Sequence, residues 1–335
     1  WFHRYPRGLP VGLFVLMAVL TMATVGMLES NDREQRTLML ERNATEVSSA
    51  LQQREAEHLA YLRAAAALFS RQSSIDAGMV EAFHRDLGDS LAERGALGLG
   101  WAEAIPASRR SEVEARQRAR GDAGFRIWPA LGPAPDQSVA ILYLFPRNAV
   151  NLRAIGYDLY SEPLRREALQ RAAQLRRPVA TGLVQLVQDG DSAPAPSFLI
   201  FMPVFDDVTG ALRGYVYSPF RGSEFLASAN RLHVSRRIGM ALYDGGVPDR
   251  SHLLAEVPLD EPSGTWLTKR ITMGERRWTL VVAEPQQAAL SVLSRVTLLS
   301  GALMAVLMLA IAQLVTRRAA EDQQLLEWES RQSEI

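Results

Sequence analysis

The chain has 335 residues, with 37 Lys+Arg against 37 Asp+Glu and a net charge of zero. That length allows about two domains, and the charge balance gives no support for a polybasic nucleic-acid binder or an acidic tail. There is no cysteine, which excludes disulfides, thiol catalysis and Cys-ligated zinc or iron–sulfur sites; Lys269 is the only lysine, which excludes a P-loop.

Taken in chain order, the first feature is a run without charge from Gly8 to Leu28, matched by a second from Val296 to Val315. About 20 apolar helical residues cross a hydrocarbon core of roughly 30 Å. Two such runs, one near each end, predict two membrane spans. The first is too long for a signal-peptide core and lacks a small-residue cleavage site. His3, Arg4 and Arg7 precede the first run and Arg317 and Arg318 follow the second, so the positive-inside rule places both termini in the cytoplasm. Arg295 is a minor contrary signal. An arginine-rich, lysine-poor composition points to a GC-rich bacterial source, which makes the intervening region periplasmic and the membrane the inner one.

Asn31 to Phe69 holds no Pro and no Gly, and Leu40, Ala44, Val47, Leu51, Tyr61, Ala65 and Leu68 recur at 3.5-residue steps. This predicts a stalk helix whose apolar stripe packs on its own domain or on a second copy. Arg54 and His58 interrupt the stripe, and His58 is expected to be solvated or capping. A helix capped by Asp76 follows, running to about Glu93. Strands are predicted at Leu97–Ala104, Phe125–Trp128 and Ser138–Phe145, with a polar helix at Arg109–Arg120. A strong helix covers Glu162–Arg177, with Ser161 as its cap and Pro163 in its first turn. Strands follow at Leu183–Gln188, Phe198–Phe205 and Gly214–Ser218, with Asp189-Gly190 as a hairpin signal.

A smaller set begins with a helix at Ser223–Leu232. Strands are predicted at Ile238–Tyr243, Leu253–Val257, Trp266–Ile271 and Trp278–Ala283, with turns at Asp244-Gly245-Gly246 and Met273-Gly274-Glu275. From Pro285 the chain turns helical. The layout is α+β: cytoplasmic residues 1–7, a span at 8–28, a stalk at 29–75, a membrane-distal unit at 76–221, a membrane-proximal unit at 222–285, a helix containing the second span at 286–316, and a cytoplasmic helix at 317–335. A chain that opens on Trp1 and stops inside a helix-favouring run has the pattern expected of a fragment.

Catalytic and metal motifs are missing. Gly98-Leu99-Gly100 lacks the third glycine and the βαβ context of a dinucleotide fingerprint and reads as turn glycine. The five histidines are dispersed; Glu55 with His58, and Glu81 with His84, each offer only two ligands. No Gly-x-Ser-x-Gly elbow occurs, and Asn43-Ala44-Thr45 falls inside the stalk. No catalytic site, metal or cofactor is expected.

One block carries a resemblance. Gly156-Tyr157-Asp158 precedes the Glu162–Arg177 helix, Pro178-Val179-Ala180-Thr181-Gly182 follows it, then come Val184-Gln185-Leu186-Val187, Phe198 to Phe205 with Pro203-Val204-Phe205, and Leu212-Arg213-Gly214-Tyr215-Val216. In order and spacing this resembles the CHASE family, the extracellular sensory domain of plant cytokinin receptors and many bacterial membrane receptors. The resemblance implies a stalk helix followed by two PAS-like units, the distal one binding ligand, and a homodimer. It implies that Asp158 hydrogen-bonds an adenine-type ligand, that Ala180 and Phe201 form walls, and that Tyr143, Tyr157 and Tyr217 close the pocket. Asp158 as a helix cap, and the aromatics as plain core, remain the alternatives. The implied function is extracytoplasmic sensing of a small ligand, such as a cytokinin-like adenine derivative. The chain would be the input half of a histidine kinase; the alternatives are a cyclic-dinucleotide cyclase or phosphodiesterase receptor, or a membrane-anchored dimerisation protein. Asp158→Ala is expected to abolish purine binding and leave the fold intact.

Overall fold

The computed structural model describes residues 8–87, 95–129, 137–190, 195–230, 238–259, 263–286 and 290–333. They divide into two compact units: one drawn from both ends of the chain, residues 8–39 and 290–333, and one comprising Leu40–Gln286.

The first unit contains the start of helix α1 (Gly8–Ser70) and helix α7 (Val292–Ser333). Both are long and apolar enough to cross a membrane. Leu16, Leu20, Leu299 and Leu303 are exposed, an arrangement that suits lipid rather than water. Thr21 and Thr24 return their hydroxyls to the carbonyls of Met17 and Leu20 at 2.9 and 2.8 Å, which satisfies them inside the helix. Ser291 caps α7, its Oγ accepting from the Ser294 N–H at 3.1 Å, and its own N–H donates to Glu29 Oε1 at 2.9 Å.

The second unit is built on two antiparallel sheets. Strands β1 (Leu99–Pro106), β2 (Gln137–Phe145), β3 (Val179–Ala180), β4 (Ser197–Phe205) and β5 (Leu212–Arg221) form a five-stranded sheet of order β2-β1-β5-β4-β3. Strands β6 (Gly239–Asp244), β7 (Leu253–Val257), β8 (Ser263–Met273) and β9 (Arg276–Pro285) form a four-stranded sheet of order β7-β6-β9-β8. Helices α2 (Ala77–Leu87), α3 (Arg110–Ala119), α4 (Ala149–Leu152), α5 (Pro163–Leu175) and α6 (Gly222–Asn230) complete it.

The central strands are buried on both faces, which is why β4 reads Ser-Phe-Leu-Ile-Phe-Met-Pro-Val-Phe without polar alternation. One face meets α1: Leu40, Ala44, Val47, Leu51, Leu62, Ala65 and Phe69 join Trp101, Phe198 and Phe220 and, from the second sheet, Trp278 and Leu280. The predicted stripe therefore packs on its own domain, except that Leu68 is exposed. His58 is buried, not solvated, its ring edge-on to Phe220 at 4.7 Å. The other face of the five-stranded sheet holds Leu199, Phe201, Tyr215 and Tyr217, covered by Ala168, Leu169 and Ala172 of α5.

Helix α1 runs without a break through the segments predicted as span and stalk. Asp76 caps α2, accepting from Met79 N–H at 2.9 Å; the predicted stretch beyond Leu87 lies outside the described residues. Phe125–Trp128 is not a strand: Trp128 makes a single bridge to Tyr157. Leu183–Gln188 is likewise one bridge, Val184 to Ser197, followed by a 3-10 turn at Val187–Asp189, so Asp189-Gly190 closes that turn rather than a hairpin. Glu162, not Ser161, caps α5, accepting from Leu164 and Arg165 N–H at 3.0 and 2.9 Å; Pro163 is the first helical residue. The β8–β9 hairpin closes through Gly274 and Glu275 with φ of 54° and 59°, as a two-residue primed turn requires. At the β4 edge, β3 pairs only with Ile200 and Phe201. Beyond them Pro203 falls on the open side, and the Arg176 guanidinium stacks 4.0 Å over the Phe205 ring.

Candidate functional site

The α5-covered face of the five-stranded sheet holds three buried polar atoms without hydrogen-bond partners: Asp158 Oδ2, Arg165 Nε and the Tyr217 hydroxyl oxygen. Asp158 is completely buried. Its Oδ1 accepts from the Val139 and Tyr160 N–H groups at 2.9 and 3.0 Å, capping the 3-10 turn Leu159–Ser161. Its Oδ2 has no hydrogen-bond partner. One oxygen thus caps the short turn ahead of α5, whose own cap is Glu162, and the other is left unused. An unpaired buried carboxylate oxygen is costly, and such groups call for explanation.

Tyr157 stands beside it, ring edge-on to Trp128 at 5.0 Å. Its hydroxyl accepts from Arg165 Nη1 at 3.0 Å, and the Arg165 guanidinium lies 5.2 Å from the Tyr157 ring centre. Arg165 is buried, donates its Nη2 to the Gln185 carbonyl, and leaves its Nε without a partner. On the sheet, Phe201 contacts Tyr215 and Tyr217 at ring separations of 6.3 and 5.8 Å. The Tyr215 hydroxyl donates to the Leu169 carbonyl at 3.0 Å, whereas the Tyr217 hydroxyl has no partner. Burial pushes both phenols far above their usual range; the Arg165 charge opposes this at Tyr217. Gly100 makes room for Tyr217: a Cβ there would lie 2.4 Å from its ring. Gly100 is therefore a strand residue at a close approach, not a turn glycine.

A groove of about 460 Å³ opens on this side, lined by Tyr157, Glu162, Leu164, Arg165, Leu183, Val184, Gln185, Leu186, Val187 and Gly190. That volume suits a small molecule. Buried next to its wall, Asp189 pairs with Arg221 at 2.6 Å.

The six sequence-predicted residues divide between the two faces. Asp158, Tyr157, Phe201 and Tyr217 belong to the α5 face. Tyr143 does not, because a bulge in β2 opposite Trp101 and Ala102 inserts Leu142 and turns Tyr143 to the other side. There its hydroxyl accepts from Arg120 Nη1 and Gln117 Nε2 at 3.0 and 3.1 Å, on a separate cleft of about 480 Å³. Ala180 also faces away from Phe201. It contacts the β8–β9 turn, its N–H donating to the Gly274 carbonyl at 2.8 Å.

That contact belongs to a seam between the sheets. Arg276 donates to both oxygens of Asp244, at 2.5 and 2.8 Å, and Asp244 Oδ2 also accepts from Leu183 N–H at 3.3 Å. Gly274 N–H donates to the Glu55 carboxylate on α1. Burial pushes the Glu55 carboxyl up to about 7, against the lowering effect of that hydrogen bond. Arg165, Gly100, Asp244 and Arg276 were not among the predicted site residues. Arg165 had a visible signal: it sits with Ala168, Leu169 and Ala172 on the buried stripe of α5, where an arginine is out of place. Among the described residues no group of acids and histidines could hold a metal.

The fold is two antiparallel sheets packed on a long helix. The family model for the CHASE domain matches residues 80–255, and the chain belongs to the CHASE family. No match was found among curated proteins. Among solved structures, the chain is similar to an extracellular ligand binding receptor from Desulfohalobium retbaense, with 15% identity, 74% of this chain and 40% of that one covered, and a TM-score of 0.45. It is also similar to the periplasmic sensory domain of the Campylobacter jejuni chemoreceptor Tlp1, with 11% identity, 74% and 94% covered and a TM-score of 0.46. A third likeness is to the ligand-binding domain of the Pseudomonas aeruginosa amino acid chemoreceptor PctC in complex with GABA, with 12% identity, 76% and 100% covered and a TM-score of 0.43. The chain spans 40% of the length of the first of these.

Proposed function

We propose that this chain is the input half of a transmembrane receptor, most simply a sensor histidine kinase. It binds a small molecule in the membrane-distal unit, residues 76–221, and α7 carries the response across the inner membrane with both termini cytoplasmic. The observation that carries the reading is the 460 Å³ groove lined by Tyr157 and by Arg165, whose buried Nε has no partner, on the face that holds Asp158. Asp158 Oδ2 would accept from an N–H edge of the ligand, such as that of a cytokinin-like adenine derivative, with Phe201 and Tyr217 behind it. The unit at 222–285 links the binding unit to the second span.

The receptor works as a homodimer in this reading. Its own core uses one stripe of α1 and leaves Ala56, Ala60, Ala64 and Ala67 exposed at one-turn spacing, a face that lets a second helix approach closely. Ligand shifts the dimer between two arrangements by its differential affinity for them.

The test is a thermal-shift titration of the full chain with N6-benzyladenine, wild type against Asp158→Asn. A saturable rise in midpoint that Asp158→Asn weakens supports the adenine reading; equal shifts in both proteins would remove Asp158 from the site.

A further inference from the structure

Arg165 is the one site feature that a neutral ligand leaves unanswered. We infer that the distal groove recognises its ligand through a carboxylate held by the buried guanidinium of Arg165; this rests on the reading of that groove as the ligand site.

Arg165 is only 4% exposed and lines the groove. Its protein partners are all neutral: the Tyr157 hydroxyl, the Gln185 carbonyl and the Tyr157 ring face. Its Nε has no partner, and it forms no ion pair among the described residues. Three other arginines of the same unit, each more exposed than Arg165, pair with acids: Arg221 with Asp189 at 2.6 Å, Arg276 with Asp244 at 2.5 Å and Arg116 with Glu103 at 2.6 Å. A buried cation without a counter-charge is unfavourable unless an anion completes it.

The surrounding acids do not supply that anion. Glu162 also lines the groove, but both its oxygens are held by the backbone N–H groups of Leu164 and Arg165. Asp158 is anchored to Val139 and Tyr160 and is not within ion-pair distance of Arg165. A second cation stands at the rim: Arg153 donates to the Gln188 carbonyl and lies against Gly190, itself a lining residue. The planar guanidinium suits a carboxylate, which it grips through two parallel N–H bonds. The aliphatic walls of Leu183, Val184 and Leu186 would take the ligand's apolar body.

The experiment uses the full chain in detergent and two matched pairs of probes, benzoate against benzamide and phenylacetate against phenylacetamide. Binding is read by thermal midpoint and by calorimetry. The acids should bind wild type about tenfold or more tightly than their amides. Arg165→Gln should remove that preference, and Arg165→Lys should keep it at lower affinity. Gln185→Trp, which fills the groove from an exposed wall position, should remove binding of every probe. Equal binding of acid and amide, binding of neither, or acid binding unchanged in Arg165→Gln would overturn the inference. If acid and amide bind alike and Gln185→Trp removes both, the groove remains the site and only its charge preference fails. If Gln185→Trp alters no probe that binds, the groove itself is not the site and the inference falls with it. Where Arg165→Gln does not fold, the Arg165→Lys and Gln185→Trp arms decide.

Discussion

The backbone N–H of Ala180 donates to the carbonyl of Gly274 at 2.8 Å, so the shortest strand of one sheet is hydrogen-bonded to the hairpin turn of the other. Ala180 begins the segment that continues through Gly182 and Leu183 into the groove wall. Gly274 in turn donates to Glu55 on α1. Groove wall, second sheet and helix therefore share one small polar junction.

Gly274→Ala should damage that junction. The residue sits at φ 54°, and an added Cβ would lie 2.6 Å from the backbone nitrogen of Ala180. The left-handed backbone alone costs a non-glycine residue about 1–2 kcal/mol, and the contact must open further to admit the methyl group. The unfolding midpoint should fall by roughly 2–4 °C per kcal/mol lost. An unchanged midpoint would mean that the two sheets are not held at this turn.

Glu55 should make stability depend on pH. Its folded pKa is raised from the ordinary 4.5 to about 7, mainly by burial. Between those values the folded state holds a proton that the unfolded state has released, so stability falls as pH rises through about 4.5 to 7. At about 1.4 kcal/mol per unit the whole effect is at most about 3.5 kcal/mol. Glu55→Gln should flatten that part of the profile, measured by denaturant titration at pH 5, 6, 7 and 8. A parallel profile in wild type and variant would assign the dependence to other groups.

Asp158→Ala and Asp158→Asn should separate. Alanine removes the acceptor for both Val139 and Tyr160 and should cost about 2 kcal/mol. The expectation of an intact fold therefore passes from alanine to asparagine, which keeps one oxygen in place. Asn should fold at nearly wild-type stability while replacing the free Oδ2 by a donor. Circular dichroism melts of the two variants check the order.

Ala60→Arg should weaken self-association without destabilising the protomer, since Ala60 is exposed on α1. Cross-linking yield in membranes, compared with wild type, reports it; equal yield would move the dimer contact elsewhere.

The architecture was readable where periodicity dominates. The 3.5-residue stripe of α1 and the apolar run of β4 state their burial directly, and Gly274-Glu275 states its turn. Side-chain facing was harder. Alternation along β2 carries Tyr143 to the same face as Val139 and Ile141; the inserted Leu142 reverses this, and a bulge leaves no mark in an all-apolar strand. Ala180 and Phe201 lie on neighbouring strands yet face opposite ways, a matter of register that residue identity does not encode. Arg165 was legible as an exception to its own helix stripe, but its lack of a charged partner is a property of the packed structure alone.

Pro203 bears on how such a protein survives crowding in a bilayer. The outer edge of β4 is covered from Ser197 to Phe201 by β3, Thr181 and Val184, and beyond Phe201 the uncovered edge invites a strand from a neighbouring molecule. Proline offers no N–H to such an intruder, and the Arg176 charge rests on the Phe205 ring next along the strand. Receptors confined to two dimensions meet one another often. A blunted sheet edge closes one route to strand exchange between copies, by which association becomes aggregation.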